Sequence, residues 1–181
     1  LGSYGQQKIK TPNLDKIAKE GIKFTQHYTG APVCAPARCI LMTGKNSGHS
    51  YIRGNYELGG FEDENEGGQM PLPEGTFTIA KLMKQAGYVT GAIGKWGLGM
   101  NNTTGDPNKQ GFDYFYGYLC QKQAHNFYPT HLWENGKRDS LKNPYIQVHK
   151  PLAKDAPDSA FDYFKGKDYS VTKMAEKTVA F

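Results

Sequence analysis

A cysteine bracketed by two prolines, with an arginine four residues on, is the sharpest chemical feature of this sequence: Pro32-Val33-Cys34-Ala35-Pro36-Ala37-Arg38, running into Cys39-Ile40-Leu41-Met42-Thr43-Gly44. Proline is at home in the first turn of a helix, so a helix starting near Pro36 would set Cys34 at its N-terminal mouth. Backbone N–H groups and the helix dipole favour an anion there. Arg38 adds a permanently charged donor beside it. On residue chemistry alone, Cys34 is either a thiolate nucleophile of lowered pKa or an inert buried cysteine. An anionic ester over the helix end would be held by both the dipole and Arg38.

Further candidates lie downstream. Gly87-Tyr88-Val89-Thr90-Gly91-Ala92-Ile93-Gly94-Lys95-Trp96 reads as a short strand that ends by presenting Lys95. A point charge at the carboxyl edge of a strand can neutralise an anionic group, whereas a lone lysine is ordinarily a solvated surface residue. His125 and His131 occur in Gln123-Ala124-His125-Asn126-Phe127-Tyr128-Pro129-Thr130-His131. Their spacing does not put them on one helix face. Each has an ordinary structural reading, but Tyr128 and Trp133 nearby offer faces for a sugar or aromatic ring.

Cys-x-Pro-Ala-Arg followed by x-x-Leu-x-Thr-Gly resembles the first signature of the type I sulfatases, and the stretch through Lys95-Trp96 is similar to the second. The lead-in, Lys8-Ile9-Lys10-Thr11-Pro12-Asn13-Leu14-Asp15 and then Gly21-Ile22-Lys23-Phe24, also resembles that family. The resemblance implies an alkaline-phosphatase-like α/β/α sandwich with a largely parallel sheet, of which residues 1–181 form the N-terminal portion of one catalytic domain. It implies that Cys34 is the precursor of formylglycine, converted by a formylglycine-generating maturation enzyme. The hydrated aldehyde would attack sulfur through one oxygen and later release sulfate through the other.

On the same resemblance Arg38 is the stabilising neighbour, Lys95 contacts the sulfate, and the modified Cys34 is a ligand of a divalent metal, Ca2+ with Mg2+ as the alternative. The family's other metal ligands fall before residue 1 and after residue 181, so this chain alone is expected to be inactive. The substrate implied is a sulfate ester, on a sulfated carbohydrate, and the location is exported. One departure stands out: the family often continues Lys-Trp-His, but here the third residue is Gly97. The missing histidine usually orients or deprotonates the formylglycine hydroxyl, which makes His125 and His131 candidates for substrate contact.

Two rival readings stand beside this one. A phosphate or phosphonate hydrolase of the same superfamily usually carries Ser or Thr at the nucleophile position. A non-catalytic module binding sulfated glycans has no need of Cys34. Zinc is weaker still, because the Cys and His spacings fit no ligand pattern.

The elements that must position these groups are legible in part. Thr11 caps a helix with Pro12 at its first position, Leu14, Ile17 and Ala18 on one face, and Gly21 as a left-handed stop. Ile22 to Tyr28 alternates as a strand does. Thr76 to Ala86 has helical spacing and stops at Gly87; Tyr88 to Ile93 then reads as a mostly buried strand. Repeated helix–strand units predict an α/β fold. Gly54 to Gly75 reads as a surface excursion, and Asn101 to Lys167 as a long irregular stretch with a functional look. Ser170 caps a last helix bearing Val171, Met174, Ala175 and Val179.

Bulk properties agree. The 181 residues are 38% hydrophobic and 22% charged, which suits a globular domain with a sizeable core. A net charge of +5 reads as an ordinary basic solvated surface or as attraction toward an anionic substrate, and no basic stripe of the kind that tracks nucleic acid is present. No apolar run is long enough to span a bilayer, and no signal peptide is visible. The 3 cysteines are too few for a disulfide scaffold; Cys39 and Cys120 either pair or stay as buried thiols.

Overall fold

The computed structural model describes residues 1–58, 61–62, 65–66 and 68–181. In chain order the elements are α1 (Pro12–Glu20), α2 (Cys34–Thr43), a small hairpin of β1 (Phe61–Glu62) and β2 (Asn65–Glu66), α3 (Ile79–Gln85), β3 (Gly91–Lys95), β4 (Tyr114–Tyr118), β5 (His131–Glu134), β6 (Lys137–Ser140) and α4 (Ser170–Ala180). The main sheet has the order β3-β4-β5-β6. The α/β reading holds, and the sheet is mixed: β3 and β4 are parallel, while β4–β5 and β5–β6 are antiparallel.

The antiparallel half has a local cause. Asn135 and Gly136 take φ of 46° and 76°, the left-handed pair of a two-residue hairpin turn, and so fold Lys137–Ser140 directly back on His131–Glu134. Three strands therefore lie inside the stretch expected to be irregular. In the parallel half, Gly94 and Gly117 are register partners, and a Cβ on Gly117 would stand 1.9 Å from the Gly94 carbonyl oxygen. That approach admits no side chain.

Strand β4 alternates its side chains between two cores. Phe115 packs on one face with Ala35 and Cys39 of α2, Leu72, Trp96, Leu98 and Cys120. Tyr116 and Tyr118 pack on the other with Leu132, and Met174 of α4 leans on them. Cys39 and Cys120 are both buried in the first core and are not joined by a disulfide. Helix α4 is clamped to the sheet by Lys177, whose ammonium lies 2.7 Å from Glu134, and by Phe181 stacked on Tyr114 at 5.6 Å.

Several local expectations are corrected. Residues 22–28 form no strand: Ile22, Phe24 and Tyr28 are exposed, and no strand among the described residues lies alongside to take up the backbone hydrogen bonds. Gly21 ends α1 at φ −120°, so the stop is not left-handed. Thr11 does not cap through its side chain; its hydroxyl accepts from the Gly2 N–H and meets the Asp15 carboxylate instead. The second strand starts at Gly91, with Tyr88 and Val89 exposed and the strand itself half-buried. Tyr169 holds the cap position of α4; Ser170 is its fully buried first residue, tied by its N–H to the Phe127 carbonyl. The surface excursion is anchored by buried Gln69 and Leu72, and its residues 59–60, 63–64 and 67 lie outside the described residues.

Candidate active site

Cys34 is the first residue of α2, half-buried at the helix mouth. Its neighbour Val33 sits in the cap position with extended backbone and has no side chain able to cap. The missing cap arrives from elsewhere in the chain: Asn55 accepts the Ala35 N–H through Oδ1 at 3.0 Å. Pro36 has no N–H, and Ala37 donates to Val33 at 3.0 Å. Of the first-turn donors these bonds leave the N–H of Cys34 itself. The helix end therefore offers its dipole rather than a cradle of N–H groups, and an anion here must be met mainly by side chains.

Arg38 stands one helical turn after Cys34, on the same face. Its guanidinium crosses to β3 and donates to the Lys95 carbonyl. The two sequence motifs thus converge, because Lys95 ends the parallel strand β3 at its carboxyl edge. Burial pulls the Arg38 pKa below its ordinary value and the neighbouring Cys34 works the other way. Even so, guanidinium keeps its charge at any physiological pH. The Arg38 Nε–H is buried and has no hydrogen-bond partner among the described residues.

A cleft of about 610 Å³ opens beside these groups, walled by residues 27–33 on one side and by Cys34, Ala37, Arg38 and Leu41 of α2 on the other. Gly30 lets that wall close in: a Cβ there would stand 2.5 Å from Ile40. A larger cleft of about 760 Å³ lies at the far end of α2, among Thr43, Lys45, His49, Arg53 and Phe77, and contains none of the motif residues. Chemistry rather than size selects the smaller one.

The structure brings one of the two predicted histidines toward this region. His125, exposed in a short 3-10 turn over Gln123–His125, has its pKa lowered first by burial and then by the charges of Lys95, His149 and Lys122, against an opposing pull from Glu57. A residue unmarked by the sequence joins it: His149 lies with Nε2 3.4 Å from His125 Nδ1, rings edge to face. Lys122 pairs with Glu57 at 3.6 Å, which ties this turn to the loop carrying Asn55. His131 is placed differently. It is 3% exposed in β5, two strands from β3, beside the Thr130 hydroxyl and against Trp133. Trp133 has Arg138 over its ring and Tyr128 leans on Tyr169, so both aromatics are engaged within the fold.

Gly97, where the family often has histidine, takes φ +76°. A Cβ there would lie 3.2 Å from Gln121 Cβ and 3.8 Å from Arg38 Cδ. A side chain there would press on Gln121, and the backbone conformation suits glycine. No cluster of three or more His, Cys, Asp or Glu side chains stands together among the described residues, so these residues by themselves do not form a calcium site. No described helix is long and apolar enough to cross a membrane.

Sequence signals existed for some of what was missed. The Asn-Gly turn was one; nothing marked Asn55, His149 or Gln121, whose roles arise from contacts between distant segments.

The comparisons with known proteins bear on this geometry. The family model described as Sulfatase matches residues 1–181. Arylsulfatase D of Homo sapiens is 42% identical over 123 residues, covering 65% of this chain and 20% of its own length. The crystal structure of Ps i-CgsB superposes with a TM-score of 0.61 at 31% identity, covering 77% of this chain and 34% of that one. A further solved protein, in complex with its substrate D-glucosamine-2-N,6-O-disulfate, gives a TM-score of 0.55 at 32% identity, covering 81% of this chain and 25% of that one. The chain thus spans between a fifth and about a third of the length of these relatives.

Proposed function

Since the chain belongs to the sulfatase family, with an alkaline-phosphatase-like fold, we propose that it contributes the nucleophile and sulfate-binding part of an enzyme that hydrolyses sulfate esters. The observation that carries this reading is the hydrogen bond from Arg38 to the Lys95 carbonyl, which joins two motifs 57 residues apart at one end of α2. Conversion of Cys34 to formylglycine by a maturation enzyme supplies, as the hydrate, an oxygen nucleophile that no encoded side chain offers.

The remaining chemistry belongs to the chain's own side chains. Arg38 and Lys95 would meet a sulfate group lying against residue 34 with two positive charges, and both interactions would strengthen as negative charge builds on its oxygens. The α2 dipole adds to them. His125, whose pKa is lowered first by burial and then by Lys95, is proposed as a substrate contact able to donate or accept a hydrogen bond. His131, also a candidate from the sequence, is enclosed in the sheet, and no substrate contact is routed through it. The substrate class proposed is a sulfated carbohydrate, supported by the disulfated glucosamine held by one structural relative. A divalent metal, Ca2+ or Mg2+, would be held with ligands beyond the described residues, Cys34 being this chain's contribution. Export is proposed on the family's habit.

Full-length, matured enzyme should hydrolyse an aryl sulfate far faster than the matching aryl phosphate, and C34A should abolish the first activity. Preference for the phosphate, or activity surviving C34A, would overturn the reading.

A further inference from the structure

Gln121 is 3% exposed, and its Oε1 is buried without a hydrogen-bond partner among the described residues. A buried acceptor left in that state is unfavourable, so it asks for an occupant. It does not stand alone. The position a Cβ on Gly97 would take lies 3.6 Å from Gln121 Oε1 and 3.8 Å from Arg38 Cδ, and the Nε–H next along that arginine is the second buried unpartnered group here. One is an acceptor and the other a donor. A hydroxyl oxygen satisfies both at once, donating to a carboxamide and accepting from a guanidinium.

Residue 34 stands on the same helix as that arginine. Arg38 lies one turn beyond residue 34 on the same helix face, and its far end is anchored on Lys95. Resting on the formylglycine reading above, we propose that Gln121 is a further catalytic residue. Its Oε1 accepts the hydrogen bond of a hydroxyl on the hydrated residue 34, in the space that Gly97 leaves open. A carboxamide orients such a hydroxyl but cannot take its proton, unlike an imidazole. The group at this spot therefore sets direction, and proton transfer must fall to another residue.

The test uses full-length, matured enzyme with Q121M, which keeps the volume and removes the acceptor, and Q121E, which keeps an acceptor at the same reach. Residue 34 is assayed by peptide mass in each, and rates are normalised to the converted fraction. The expected result is a fall in kcat of about 10- to 100-fold for Q121M with KM within a few-fold, and Q121E much closer to wild type. A second readout needs no turnover. Without Gln121 the hydrate loses a hydrogen bond, so an aminooxy probe should capture the aldehyde several-fold faster in Q121M. Unchanged kcat and capture rate in converted Q121M would overturn this inference alone, as would equal losses in Q121M and Q121E. Active wild-type enzyme with an unconverted thiol at position 34 would overturn the parent reading along with it.

Discussion

Arg38 holds the site together because it does two things with one planar group. Its guanidinium bonds the Lys95 carbonyl, and its buried Nε–H is left for a further partner. Lysine has the charge but neither the fork nor the reach to serve both ends. R38K in the full-length enzyme should therefore lower kcat by about 100-fold while the protein stays folded, as read by steady-state kinetics beside a melting curve. Lys95 acts on its surroundings through charge. It helps to depress the His125 pKa, so removing its charge must raise that pKa. K95M should move the His125 ring titration upward in an NMR pH series, and no movement would show that the two groups are not electrostatic neighbours. Cys34, Arg38 and Lys95 were legible in sequence because motif residues announce themselves. Asn55 and Gln121 were not, because each is defined by a partner far along the chain.

Helix α2 shows how an element inherits what its own residues lack. Val33 cannot cap, Pro36 cannot donate, and Asn55 reaches in to take the Ala35 N–H. N55A should lower stability by roughly 1 kcal/mol, the usual worth of a cap, and reduce turnover by loosening the turn that carries residue 34. Denaturant titration and kinetics on the same variant separate the two effects. The join of α3 to β3 has its own fastening. Asp113 accepts from Lys84 of α3 at 2.6 Å and from the Thr90 N–H at 2.9 Å, which lowers its pKa to about 2. The folded pKa lies below the unfolded one, so this contribution is full above the ordinary aspartate range and is lost as pH falls toward 2. D113N should therefore be less stable than wild type at pH 7 and converge with it on acidification, as read from melting temperatures across pH. Element boundaries were read less well than element types: the strand at Gly91 was placed three residues early, because Tyr88 and Val89 look strand-like but point to solvent.

Across the whole molecule the sheet separates two cores, with α2, which begins at Cys34, over one face and α4 over the other. This makes α4 a stabiliser of the sheet rather than part of the site. Its Lys177 lowers the Glu134 pKa by direct hydrogen bonding, while burial, then Asp139, raises that of Tyr116. The helix–strand order visible in the sequence was enough to give an α/β fold. It was not enough to give a mixed sheet, since strand direction depends on a two-residue turn at Asn135-Gly136 and on Gly94 and Gly117 approaching each other. The Ile22–Tyr28 strand failed for the complementary reason: alternation supplies a face, and pairing requires a neighbour. What the whole molecule achieves is to bring the start of α2 and the end of β3 to one place. That claim is tested most directly by the mass of the peptide spanning Cys34, taken from full-length protein matured in its native host. The account predicts an aldehyde in place of the thiol; an intact thiol in protein that hydrolyses sulfate esters would contradict it.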